Sequence, residues 1–147
     1  TQTFDFLPGY LSGLGFSGSY SYTQSDIQQQ TDLSGSTVNI TLPGLSETVY
    51  SATAFYDWAD FSTRINVRYR DSFVSEQVAV ETQLAFFGDE TVIDYQASYD
   101  INDRLRVLFQ INNLTDEPTK TYFNQVEQTG TLQFFGRQYF LGMSYSM

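Results

Sequence analysis

At 147 residues the chain is long enough for one domain, and its formal net charge of -10, from 17 acidic and seven basic residues, leaves no cationic footprint for nucleic acid. Lacking both cysteine and histidine, it has no disulfide, no Ser-His chemistry and none of the common zinc or haem ligand sets, so neither catalysis nor a metal or other cofactor is expected. Eleven Tyr and thirteen Phe against a single Trp suit sheet rather than helix.

The opening TQTFDFLPGY has neither a basic region nor a long apolar run, so no signal peptide is recognisable. Thr1 is not a translation start, and the chain is expected to be a mature product or a piece of a longer one. A partial strand precedes Pro8, and LPGYLSGLG (7–15) reads as a compact Pro/Gly turn. In GFSGSYSYT (15–23), Phe16, Gly18, Tyr20 and Tyr22 alternate with Ser17, Ser19, Ser21 and Thr23. A long polar loop follows over 27–44. The rougher strand ETVYSATAFYDW (47–58) then runs into Ala59-Asp60, read as a two-residue hairpin turn.

FSTRINVRYR (61–70) separates cleanly, with Phe61, Thr63, Ile65, Val67 and Tyr69 on one face and Ser62, Arg64, Asn66, Arg68 and Arg70 on the other. After a second long loop (74–90), TVIDYQASYD (91–100) sets Ile93, Tyr95, Ala97 and Tyr99 against Val92, Asp94, Gln96, Ser98 and Asp100. Ile101-Asn102-Asp103 is the expected turn into LRVLFQINN (105–113), whose apolar face is Leu105, Val107, Phe109 and Ile111, with Leu108 an exception on the polar side. A third long loop (115–133) leads to YFLGMSYSM (139–147). The count is about seven strands, with no helix expected.

No run approaches the roughly 18 apolar residues of a membrane helix, so a membrane reading requires a β-barrel. Alternation alone fits both a soluble sandwich and a barrel. Two features favour the barrel. Short turns and long loops alternate strictly, as in outer-membrane barrels. The two-residue turn also sets Trp58 opposite Phe61 and Tyr50 opposite Tyr69, two aromatic pairs about 21 Å apart in height for a strand tilted by about 40°. Small or β-branched residues lie between them, as between the aromatic girdles of a barrel.

SYDINDRLRVLFQINNLTDEPTKTYF (98–123) closely resembles the penultimate hairpin of TonB-dependent outer-membrane receptors, where a strand leaves the membrane in an Asn-Leu-x-Asp motif. Asn112, Asn113, Leu114 and Asp116 carry that match, and Pro118 marks the exit because it offers no ladder donor. The segments 4–26, 42–73 and 136–147 look like successive pieces of the same receptors, most like a proteobacterial subgroup associated with oligosaccharide uptake. One departure is the terminal Met147 where the family usually ends in Phe.

The resemblance implies an all-β chain: an antiparallel up-and-down meander of about seven transmembrane strands, forming an open C-terminal segment of a 22-stranded outer-membrane barrel. The plug domain and N-terminal strands would be absent. It further implies residence in the bacterial outer membrane and active uptake of a scarce nutrient, oligosaccharide before siderophore-bound iron or cobalamin. The implied partners are the lipid bilayer, the plug of the same parent chain, the TonB complex acting through the missing N-terminal region, and the barrel assembly machinery. Gly142, Tyr145 and Met147 have the spacing of the C-terminal assembly signal of such barrels. The other reading is a secreted, soluble β-sandwich that binds glycans.

Two groups of candidate site residues follow. Arg64, Arg68, Arg70 and Arg106 lie on the inner face, either touching the plug or a passing ligand, or simply balanced by Asp57, Asp94 and Asp100 in a solvated wall. The doublets Phe86-Phe87, Tyr122-Phe123 and Phe134-Phe135 sit among amides and hydroxyls in the loops, a setting that suits neutral sugars, unless they pack the loops themselves. The adjacent carboxylates Asp89/Glu90 and Asp116/Glu117 lack the opposed geometry needed for glycosidase or calcium chemistry.

Overall fold

The computed structural model describes residues 1–4, 6–30, 37–75 and 84–146. Among the described residues one sheet of seven antiparallel strands dominates: β1 (Gln2–Thr3), β2 (Leu14–Tyr22), β5 (Thr48–Trp58), β6 (Phe61–Arg70), β9 (Glu90–Asn102), β10 (Leu105–Asn112) and β13 (Gln138–Tyr145). Neighbours in this sheet follow one another along the chain, so it is an all-β meander, in which β1 pairs with β2 and, among the described residues, β13 with β10 alone. The remaining strands, β3 (Ile27–Gln30), β4 (Thr37–Ile40), β7 (Phe73–Val74), β8 (Ala85–Phe87), β11 (Thr119–Phe123) and β12 (Gln125–Gln133), all belong to the three long connections.

Cross-strand register carries the two-face division through the whole sheet. Phe16, Ala54, Ile65, Tyr95, Ile111 and Tyr139 stand in one row, and Gly18, Ala52, Val67 and Ile93 in the next. Trp58 pairs with Phe61, and Tyr50 with Tyr69 at a ring separation of 4.8 Å, as the two-residue turn requires. Ala59 in that turn takes φ 48°, the left-handed conformation that such hairpins need. The row of aromatics at this end continues into the first connection, where Tyr10 meets Trp58 edge-on at 6.5 Å.

The apolar face has no protein cover. Among the described residues the buried hydrophobic side chains are Ile40 and Val74, both in the long connections, whereas Tyr20, Leu141 and Met143 on the large sheet are at least two-thirds exposed. A soluble sandwich would close a second sheet over this face. No described helix is long and apolar enough to cross a membrane, so a crossing must be made by strands.

Three details depart from the sequence-based expectations. The Pro/Gly turn contains a short 3-10 helix, Gly9–Gly13, where no helix was expected. Strand β9 runs on through Ile101 and Asn102, so the tight turn is Asp103-Arg104 and a bulge lies beside Leu105. Asn102 makes this work, because its Oδ1 accepts from the backbone N–H groups of both Arg104 and Leu105. The second and third long loops are not irregular, since β12, β11, β8 and β7 form a four-stranded sheet in that order. Alternation does not mark these strands, because β7 and β8 are only two and three residues long and the Thr- and Gln-bearing β11 and β12 belong to a small sheet in water, which needs no apolar face.

Two of the large apolar side chains on the inner face share one cause. Phe55 pairs with Gly15 and Leu108 with Gly142, so each large side chain lies where its partner has none. A Cβ built on Gly15 would stand 2.2 Å from the Phe55 ring. Gly15→Ala is therefore expected to destabilise the sheet by about 1 to 3 kcal/mol through overpacking. In a Phe55→Ala background the same change should cost far less. Urea unfolding of the four proteins in detergent micelles measures this coupling, and equal costs in both backgrounds would show that Phe55 does not cover Gly15.

Candidate functional site

The inner face and its rim at the long-connection end bring most of the candidate residues together. Asp94, on β9, links three strands. One carboxylate oxygen accepts from Arg68 on β6 at 2.9 Å, and the other from the backbone N–H of Asn113, just past β10, at 3.1 Å. Near the short-turn end Arg106 is ion-paired with Asp100 across β9 and β10, and Asp57 accepts a hydrogen bond from Ser62. Arg64 differs, having no ion-pair partner among the described residues. It lines a recess of about 580 Å³ with Asp57, Asp60, Gln96, Asp100 and Arg106.

Arg70 is at the rim, and its partners lie in the long connections. Its guanidinium donates to Ser46 Oγ at 2.9 Å and to the Gly44 carbonyl at 3.1 Å, and stands 3.8 Å over the Phe73 ring. One cation thereby ties the first long connection to the second.

The strand-exit motif closes on itself. Gln110 Nε2 donates to Asn112 Oδ1, and Asn113, at φ 55°, donates through Nδ2 to the Glu117 carbonyl and accepts through Oδ1 from the Glu117 N–H. The Leu114 N–H donates back to the Ile93 carbonyl at 2.7 Å, which holds the turn against β9. Asp116, also left-handed at φ 58°, donates its N–H to the Asn113 carbonyl, while its Oδ1 is shielded without a partner. Pro118 then precedes β11, whose Lys120 pairs with Glu117 at 3.5 Å.

The loop aromatics fall into two groups. Phe86 stacks on Tyr122 at 5.2 Å and Phe87 on Phe73 at 5.0 Å, on opposite faces of the small sheet. Phe123 is half-buried beside them. Phe134 and Phe135 follow β12 and are 66% and 68% exposed, and Phe135 borders a second recess on the inner face. That division means only the last doublet is free to meet a ligand without breaking a ring stack.

At the end of the chain, Gly142 faces inward opposite Leu108 and Tyr145 faces outward opposite Leu105. Met147 lies outside the described residues. Sequence reasoning missed the bracing role of Asp94 and the clamp made by Arg70. A signal for Asp94 existed, because the register implied by alternation already places it between the strands that carry Arg68 and Asn113.

An open antiparallel sheet with aromatic rows bounding an uncovered apolar face, and with ion pairs and amides on the other, defines a segment of transmembrane β-barrel wall. The chain belongs to the TonB-dependent receptors: the family model described as TonB dependent receptor-like, beta-barrel matches residues 2–114. Members of that family are transporters of the outer membrane of Gram-negative bacteria and not enzymes. No curated protein and no solved structure matches the chain.

Proposed function

We propose that residues 1–147 form the C-terminal part of the barrel wall of an outer-membrane transporter that takes up a scarce nutrient, preferably an oligosaccharide, using energy delivered through TonB. The single observation that carries this reading is the seven-stranded meander with an uncovered apolar face and, among the described residues, a last strand paired on one side alone. A free edge of this kind is a liability that barrel closure removes, so β13 takes its missing partner from another strand of the parent. The plug of the parent then sits against the inner face, where Arg64 retains a charge available to a plug carboxylate. Gly142, Tyr145 and Met147 present the last strand to the assembly machinery.

The preference for a sugar rests on the aromatic and amide content of the rim and on its few cations, Lys120 among them already paired. Uptake by cells carrying the full-length receptor tests the proposal. Accumulation of a labelled nutrient should need both the receptor and TonB, and the purified receptor should stay soluble only in detergent. Uptake that is unchanged without TonB would overturn the transport reading.

A further inference from the structure

The recess bordered by Phe135 has a composition that selects among ligands. It measures about 540 Å³ and is lined by Asn66, Arg68, Asp94, Gln110, Asn112 and Gln138 along with Phe135. Its two charges are spent on each other, since Arg68 pairs with Asp94 and Asp94 also holds the Asn113 N–H. What remains is neutral amide capacity. Asn66 Oδ1 accepts from Thr53 and Asn112 Oδ1 from Gln110. Among the described residues nothing engages the amide nitrogens of Asn66 and Asn112 or the side chain of Gln138. The register fixes these groups on adjacent strands, with Asn112 opposite Gln138 and Asn66 opposite Asp94. From β6 to β13 they span three inter-strand spacings, roughly 14 Å, which suits a chain of rings more than one small ring.

Side-by-side amides offer a donor and an acceptor at fixed separation, the pattern that vicinal hydroxyls satisfy. An exposed phenyl face offers the apolar patch on which the C–H side of a pyranose ring rests. An anionic chelate would need unpaired cations, and the one arginine here is already neutralised. We propose that this recess is a subsite for a neutral oligosaccharide, with Phe135 beneath one ring and Asn66, Gln110, Asn112 and Gln138 bonding its hydroxyls. The proposal rests on the reading of the chain as part of an uptake receptor, and adds to it the residues and the chemical class.

The test is calorimetric titration of the detergent-solubilised full-length receptor with maltotetraose, xylotetraose, mannotetraose and chitotetraose, and with a ferric tris-catecholate. At least one tetrasaccharide should bind and the ferric chelate should not compete with it. Phe135→Ala should weaken that sugar at least about tenfold, as truncation of a central aromatic anchor does. Phe135→Trp should restore binding, and Val126→Ala, at an exposed site on β12 outside the recess, should leave it unchanged. Unaltered affinity in Phe135→Ala, binding of the chelate alone, or binding of none of the sugars would each overturn the subsite. A chelate that is bound and imported with TonB would sink the subsite yet leave the transport reading standing. A sugar held through Phe135 but never imported through TonB would do the reverse.

Discussion

Ile65→Arg is expected to destabilise the assembled receptor by about 2 to 4 kcal/mol, the cost of a cation on the lipid face near the bilayer midplane. Ile65 is midway along β6 between Phe61 and Tyr69, the residues of the two aromatic rows, and faces Ala54 and Tyr95 on its neighbours. None of these can neutralise a guanidinium, and the aqueous boundary is about half the strand away in either direction. Asn66→Arg, one residue on, puts the same side chain on the inner face opposite Asp94. It sacrifices the bond from Thr53 Oγ1 to Asn66 Oδ1, a loss of about 1 kcal/mol, and leaves the charge in a hydrated wall. Thermal loss of the folded band on unheated gels ranks the two variants. Equal melting would mean that the odd and even residues of β6 meet the same solvent, and the membrane reading would fail with it.

The same contrast explains what was legible in the sequence. Lipid penalises every polar residue on one face, so period-two alternation had to be written along each long strand, and the Trp58–Phe61 register followed once Ala59-Asp60 was read as a two-residue turn. Where lipid stops, that constraint stops. The strands β7, β8, β11 and β12 stand in water; β7 and β8 are too short to show a period, and the Thr and Gln residues of β11 and β12 mark no face. The stacking of Phe86 on Tyr122 joins residues 36 positions apart, a pairing that local pattern does not specify. Ile101 shows a different limit. Its strand extends into the expected turn because the Asn102 side chain, and not a backbone ladder, satisfies the N–H groups of Arg104 and Leu105. Arg70 reads as one more inner-face cation by parity. Its actual partners, Gly44, Ser46 and Phe73, come from connections whose course the pattern leaves open.

The exit motif yields a graded expectation at Asn113. Its backbone is left-handed at φ 55°, and its side chain makes two hydrogen bonds with the Glu117 backbone. Asn113→Ala removes both bonds, at about 0.5 to 1.5 kcal/mol each, and gives up the tolerance of the left-handed conformation that Asn has and Ala lacks, roughly 1 to 2 kcal/mol. The β10–β11 connection should then loosen by about 2 to 5 kcal/mol. Asn113→Gly restores the conformational freedom but not the bonds, so its loss should be about 1 to 3 kcal/mol. Asn113→Asp tolerates the left-handed backbone and still accepts from the Glu117 N–H, giving up only the donation to the Glu117 carbonyl, and should lose least. The effect reaches the inner face, because the Asn113 N–H also holds Asp94, and Asp94 holds Arg68. Amide hydrogen exchange at Leu114 measures the loss locally, since its N–H is bonded to the Ile93 carbonyl only while the turn is closed, and none of the three variants removes that acceptor. Faster exchange in the order Ala, Gly, Asp would confirm that the turn closes through its side chain and its backbone conformation together. Identical exchange in Ala and Gly would show that the left-handed conformation imposes no cost, and the strand's end would then need a cause other than this turn.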